Sequence, residues 1–252
     1  MGKLKGIVQF TGSFNGLSFY ELNGKIVVRK TGGFDGAKIK KNTNYERVRE
    51  NSSEFAHSAK VGKYFRTAIA TCLLPLRIPY VHNHVVRLFQ GILKLDELHA
   101  RGKRTVSTGL LTTAGKKALL GFEFDTTQTF SSFFPFKLEI DFMVGALTIL
   151  NFCAKHIKTP KVAQQVQLQL HIVALDFEHL ALPLQSSSEI VLVDLQNGTE
   201  ADLTFTFTPT IMNSYIHIAV LEVCFLQEVN GTLVRLKGGG IKIVGLHNEL
   251  FL

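Results

Sequence analysis

Asp176, Glu178 and His179, with His171 upstream, bring two carboxylates and two imidazoles into one short stretch of the chain. On a strand Asp176 and Glu178 share a face, so the pair could bind a cation or work as general acid and base. The plainer reading of the same run is the solvated outer face of a strand beside a turn. His82-Asn83-His84 suggests a second metal pair, but residues two apart on a helix do not face each other and no third ligand lies nearby in sequence. Exposed helical histidines are the expectation there. Gly115-Lys116-Lys117 has the end of a phosphate-loop pattern, yet position 110 is Leu where that loop needs Gly, and position 117 is Lys where it needs Ser or Thr.

Nucleophilic chemistry fares no better. Cys72, Cys153 and Cys224 are odd in number, far apart and outside any C-x-x-C, which argues against a disulfide framework or structural zinc and for a reducing compartment. Cys224 sits in an apolar run and reads as core. Ser186-Ser187-Ser188 lies in no G-x-S-x-G context, and Gly238-Gly239-Gly240 lacks the strand–turn–helix setting of a nucleotide fingerprint. The sequence therefore yields no catalytic residue, no metal set and no cofactor, and no small-molecule substrate is evident. The expectation is a protein that is not an enzyme, with metal or hydrolytic chemistry around Asp176, Glu178 and His179 as a second alternative.

Charge carries more information. The chain has a formal net charge of +8, but residues 1–121 hold 21 Lys+Arg against 7 Asp+Glu, while residues 122–252 hold 7 against 13. The halves are thus +14 and −6. Arg47, Arg49, Lys60, Lys63, Arg66, Arg87, Arg101, Lys103 and Arg104 lie on or beside a helical stretch, and clustered cations are the electrostatic footprint of phosphate or of an acidic protein surface. No helix-turn-helix spacing, zinc finger or RNA-binding aromatic motif accompanies them. Opposite signs on two parts of one molecule favour head-to-tail contact between copies, a homo-oligomer, with nucleic acid as the alternative partner.

The elements that must position these groups follow from periodicity. Strand-like runs Gly6–Phe10, Leu17–Tyr20 and Lys25–Arg29 flank Asn15-Gly16 and Asn23-Gly24, dipeptides suited to type I′ hairpin turns, so a three-stranded β-meander is expected. Such a sheet is marginal alone and needs a surface to pack on. After the loop Gly32–Gly36 the period becomes helical. Thr43 and Glu46 match a capping box opening a segment at Tyr45–Asn51, then Phe55, Ala59, Gly62, Phe65, Ile69 and Leu73 form an apolar stripe that stops at Pro75. A further helix starts near Pro79 with Val81, Val85, Leu88, Ile92 and Leu95 on one face, and a short one is expected at Ala114–Leu120.

Beyond residue 133 the period is two: Lys137–Phe142, Gln165–Ile172 and Asp202–Thr208 alternate, Ile190–Asp194, Ile216–Leu226, Leu233–Lys237 and Ile241–Leu246 add strands, and Asn197-Gly198 and Asn230-Gly231 read as hairpin turns. Both Asn-Gly-Thr sites also fit the glycosylation pattern, but turns explain them better. The fold class is α+β: a β-meander, a basic helical middle and an antiparallel β-sandwich, divided as a basic domain 1–121 and an acidic domain 122–252. Phe142–Ala154, the greasiest stretch, is too short to span a bilayer, and the N-terminus lacks an uninterrupted apolar segment. No membrane partner is expected, and the location expected is the cytoplasm.

Three segments, Gly12–Tyr20, Asn44–Ala56 and Lys60–Ala68, resemble the N-terminal signature of an uncharacterised bacterial protein family of similar length. Phe225-Leu-Gln-Glu-Val-Asn-Gly231 followed by Leu236-Lys-Gly-Gly239 resembles the closing hairpin of that family. The resemblance implies the same order of hairpin, helix and sandwich. It brings no established activity, so it assigns no catalytic or binding residue.

Overall fold

The computed structural model describes residues 2–3, 10–31, 36–208 and 215–247. The chain divides into two compact units, Met1–Glu50 and Asn51–Leu252. Residues 121 and 122 both lie in the second.

In the first unit β2 (Gly12–Phe14), β3 (Leu17–Leu22) and β4 (Lys25–Lys30) form the antiparallel meander, with the two-residue β1 (Gly2–Lys3) paired to β4. Asn15 and Gly16 have φ of 45° and 76°, and Asn23 and Gly24 have 53° and 73°. Positive φ at both central positions is what a type I′ turn demands, and only Asn and Gly supply it at little cost. Of the expected strand Gly6–Phe10, residues 6–9 lie outside the described residues, as do 32–35 of the loop that follows β4. Ile26 and Val27 are buried, whereas Phe14, Leu17 and Leu22 are exposed.

The next helices are α1 (Gly36–Lys41) and α2 (Glu46–Ala68), separated by a 3₁₀ turn at Thr43–Tyr45. The cap differs from the expected Thr43 box: the Asn42 side chain accepts from the Asn44 N–H at 2.9 Å. The two helical segments expected between Tyr45 and Leu73 are instead α2 and one short turn, α3 (Ala70–Leu73). The apolar stripe is also displaced at its start. α2 buries Glu54, Ser58, Val61, Gly62, Phe65 and Ala68, leaving Phe55 54% exposed. Hydrophobicity misplaces this face because two of its inward residues are polar.

The second unit continues with α4 (Val81–Leu93), α5 (Val106–Leu111), α6 (Thr113–Leu120) and α7 (Phe130–Phe133). Its strands are β5 (Leu138–Asp141), β6 (Ala146–Phe152), β7 (Gln165–Leu175), β8 (Leu184–Ser187), β9 (Val191–Asp194), β10 (Ala201–Thr206), β11 (Ile216–Val229), β12 (Thr232–Arg235) and β13 (Gly240–His247). A six-stranded antiparallel sheet centres on β7 and β11, which pair from Gln165 opposite Leu226 to Leu175 opposite Ile216. A three-stranded sheet runs β10-β6-β5.

Alternation along β7 and β11 builds a core on each face of the large sheet. Val173, Leu175, Ile218 and Val220 join Phe65, Phe89, Leu110 and Leu119 of the helices. Leu168, Leu170, Leu221 and Val223 join Leu147, Ile149 and Phe205 of the small sheet. The sandwich is therefore covered by helices on its other side. Asn230-Gly231 forms the expected hairpin turn, with φ of 52° and 78°, between β11 and β12. Asn197-Gly198 does not: β9 pairs with β7 and β10 with β6, so this dipeptide lies on a crossover between sheets. Among the described residues no helix is long and apolar enough to cross a membrane.

Candidate functional site

Residues 94–105 connect α4 to α5, and three side chains fix their path and the start of α5. Asp96, 3% exposed, accepts from the N–H groups of Leu98, His99 and Thr105 and from the His99 ring at 2.8 Å. Burial raises its pKa, but these donors outweigh burial and hold the carboxyl below its usual range. From α2, Glu54 accepts from Arg104 Nε and Nη2 at 2.7 and 2.8 Å and from the Gly102 N–H at 2.8 Å. The hydrogen bond from Arg104 lowers the Glu54 pKa, against the opposing effect of burial. His57 Nε2 accepts the Val106 N–H at 3.1 Å. Burial and the Lys60 charge push the His57 pKa down, which favours the neutral ring this bond requires.

The consequence is a cleft of about 370 Å³ between α2, α4 and the loop. α2 contributes Asn51, Glu54, Phe55 and Ser58 to its wall, α4 and its C-cap contribute Gln90, Leu93 and Lys94, and the loop contributes Arg101 and Arg104. Arg101 Nη2 donates to Asn51 Oδ1 at 2.8 Å. Ser58 is fully buried, and its hydroxyl has no hydrogen-bond partner.

Of the nine cations singled out in the sequence, the structure brings Arg101 and Arg104 together in this cleft. Lys60 and Lys63 are exposed on α2, Arg87 is exposed on α4, and Lys103 is exposed on the loop. Arg66 Nε donates to the Gly62 carbonyl. Arg47 pairs with Glu50 at 2.8 Å, and Arg49 donates to the carbonyls of Ile39 and Asn42, so these two serve the first unit's own architecture. Lys94, Phe55 and Ser58 escape sequence reasoning because they meet the arginines only through the packing of α2 on α4.

Residues 51–121 hold eleven Lys+Arg and three Asp+Glu, a net of +8, and two of those acids, Glu54 and Asp96, are buried. The exterior of the helical layer is therefore basic. On the opposite face of the large sheet, β5, β6 and β10 carry Glu139, Asp141 and Asp202 and no Lys or Arg. All three carboxylates are exposed, because their neighbours Leu138, Ile140, Leu203 and Phe205 turn inward. Lys137 pairs with Glu139 at one end.

The run Asp176–His179 is not a strand face. β7 ends at Leu175, and Asp176 is 5% exposed at the head of a turn. Its Oδ1 accepts from the N–H groups of Glu178 and His179, and its Oδ2 meets His179 Nδ1 at 3.0 Å. The carboxylate is committed to the turn, and among the described residues no group of three His, Cys, Asp or Glu could hold a metal. His82 is exposed as expected, while His84 is half-buried with Nδ1 lacking a partner. His171 points elsewhere, to a buried network: its Nε2 meets Glu222 at 2.9 Å, its Nδ1 meets Ser187 at 2.9 Å, and Arg235 donates to Glu222 at 2.8 Å. Burial raises the Glu222 pKa, but bonds from His171, Cys224 and Arg235 outweigh it and hold the carboxylate ionised. All three cysteines are buried and free, with burial pushing the Cys72 thiol up to about 12.

The chain matches no model of a known protein family, no curated protein and no solved structure.

Proposed function

We propose that this protein is a non-enzymatic structural or scaffold component that self-associates head to tail. The basic exterior of the helical layer in one copy meets the acidic three-stranded sheet of the next. The observation that carries this reading is the placement of the two charged surfaces on opposite faces of one large sheet. A contact between unlike faces is heterologous, so it propagates to a ring or a filament according to the rotation between copies. Complementary potentials of this kind set partner choice and register. The three free thiols accord with assembly in the cytoplasm.

The discriminating experiment is charge exchange. Glu139→Lys with Asp202→Lys abolishes assembly, Lys60→Glu with Lys63→Glu does the same, and a mixture of the two variants restores mixed oligomers. A nucleic-acid protein would instead retard DNA or RNA in dilute buffer, with affinity falling steeply in salt, and would be indifferent to substitutions on β5 and β10. Variants that assemble like the wild type would remove the scaffold reading.

A further inference from the structure

The cleft beside Arg101 and Arg104 is more than a patch of the basic exterior. Three cations, Lys94, Arg101 and Arg104, line it against one carboxylate, Glu54, leaving a net of +2. Glu54 is occupied by the Gly102 N–H and by both Nε and Nη2 of Arg104, so it acts as the clamp that fixes one guanidinium. Nε and Nη2 are thereby spent on Glu54 and Nη1 lies 3.5 Å from the Lys94 carbonyl, so Arg104 frames the cleft as a fixed positive group, ordered before any ligand arrives.

Two further observations point to a ligand. The Ser58 hydroxyl on the wall is fully buried and has no partner, a state that is costly in a native structure unless something else completes it. Phe55 lies on the same wall yet is 54% exposed, an aromatic side chain left uncovered next to cations. The volume, about 370 Å³, falls within the roughly 300–1,000 Å³ span of small-ligand pockets.

We propose that this cleft binds a phosphate monoester carried on a planar organic group, the chemistry of a mononucleotide. The dianion neutralises the net charge at Lys94, Arg101 and Arg104, Ser58 donates to a phosphate oxygen, and the ring stacks against Phe55. The site does not depend on assembly, since the residues of the cleft all come from one copy.

The test is titration calorimetry of the full-length protein with AMP, inorganic phosphate and adenosine. AMP binds, inorganic phosphate competes with it more weakly, and adenosine alone gives no heat. Arg101→Ala and Lys94→Ala each weaken AMP about tenfold or more, Arg101→Lys recovers part of that loss, and Phe55→Ala weakens AMP while leaving inorganic phosphate unchanged. Lys117→Ala, on α6 outside the cleft, binds like the wild type. Circular dichroism and thermal melts establish that each variant is folded. Absence of AMP binding to the wild type at ~1 mM ligand, or Arg101→Ala and Lys94→Ala both binding AMP as tightly as the wild type, overturns the assignment.

Discussion

Glu222 lies in the middle of β11, 4% exposed, with every neighbour on its strand from Ile216 to Leu226 buried. A carboxylate in such a place survives only because three donors reach it: Arg235 at 2.8 Å, His171 at 2.9 Å and the Cys224 thiol at 3.2 Å. Glu222→Ala removes the acceptor of all three. Hydrogen bonds to a charged group contribute about 1.5–3 kcal/mol each, and removing one partner of a buried pair costs about 3–5 kcal/mol. Against this, Arg235 is 28% exposed on its side chain and can recover water, and the alanine variant escapes the desolvation of the carboxylate. The expected loss is about 3 kcal/mol, which lowers a urea midpoint by about 1 M for an m-value near the top of its usual range.

Glu222→Gln keeps the shape and one acceptor and should lose about half as much. The pH dependence has a definite sign, because the folded pKa of Glu222 is depressed. Its stabilisation is complete above the pKa of the unfolded chain and is lost as pH falls through the folded value, so the wild type loses stability below about pH 4 more steeply than either variant. Urea melts across pH 3 to 7, roughly, cover this range. A loss in Glu222→Ala below about 1 kcal/mol, or an unchanged acid slope, would refute the account of the network.

Three further outcomes are expected. Gly109→Ala destabilises by about 3 kcal/mol in thermal or urea melts, since a Cβ there would stand 2.1 Å from the Ile92 carbonyl oxygen where α5 crosses α4. His57, whose folded pKa is depressed, contributes stability that is present above its unfolded pKa and lost as pH falls through the folded value, so the protection factor of the Val106 N–H against hydrogen exchange, taken relative to the intrinsic rate at each pH, falls on acidification in that window. Lys60→Gln moves the His57 titration upward in NMR, because the charge of Lys60 is one of the two causes holding it down.

Local rules account for much of this architecture. Asn-Gly turns at 15–16, 23–24 and 230–231 were legible because positive φ at both central positions is a demand few residue pairs meet. The alternating run at Gln165 and the apolar run at Ile216 became the two central strands for the same reason of period. Asn197-Gly198 misleads because its flanking strands belong to different sheets, a fact set by tertiary pairing. β6 hides in Phe142–Ala154, an apolar run without alternation of charge, and β8, Leu184–Ser187, hides because three of its four residues are polar.

The site shows the same limit. Arg101 and Arg104 are visible as charges, but their company is not: Glu54 is 50 residues from Arg104 and reads as an exposed helical acid until α2 packs against the loop. Asp176 and Glu178 look paired because the strand is assumed to continue, whereas it ends at Leu175 and the carboxylate turns back on its own backbone. His171 and Glu222, 51 residues apart, meet only through the register of β7 on β11.

The separation of charge onto two faces is tested most directly by sedimentation velocity against ionic strength. Exposed ion pairs contribute about 0.2–1 kcal/mol each, so three carboxylates on the acidic sheet supply about 0.6–3 kcal/mol, roughly a three- to 150-fold effect on association. Salt raised from about 0.1 to 1 M shortens the screening length from about 10 to 3 Å and removes most of it. The account predicts species heavier than the 28.0 kDa chain at low salt that dissociate to 28.0 kDa as salt rises. A 28.0 kDa monomer at low salt and high protein concentration, or an oligomer indifferent to salt, would contradict it.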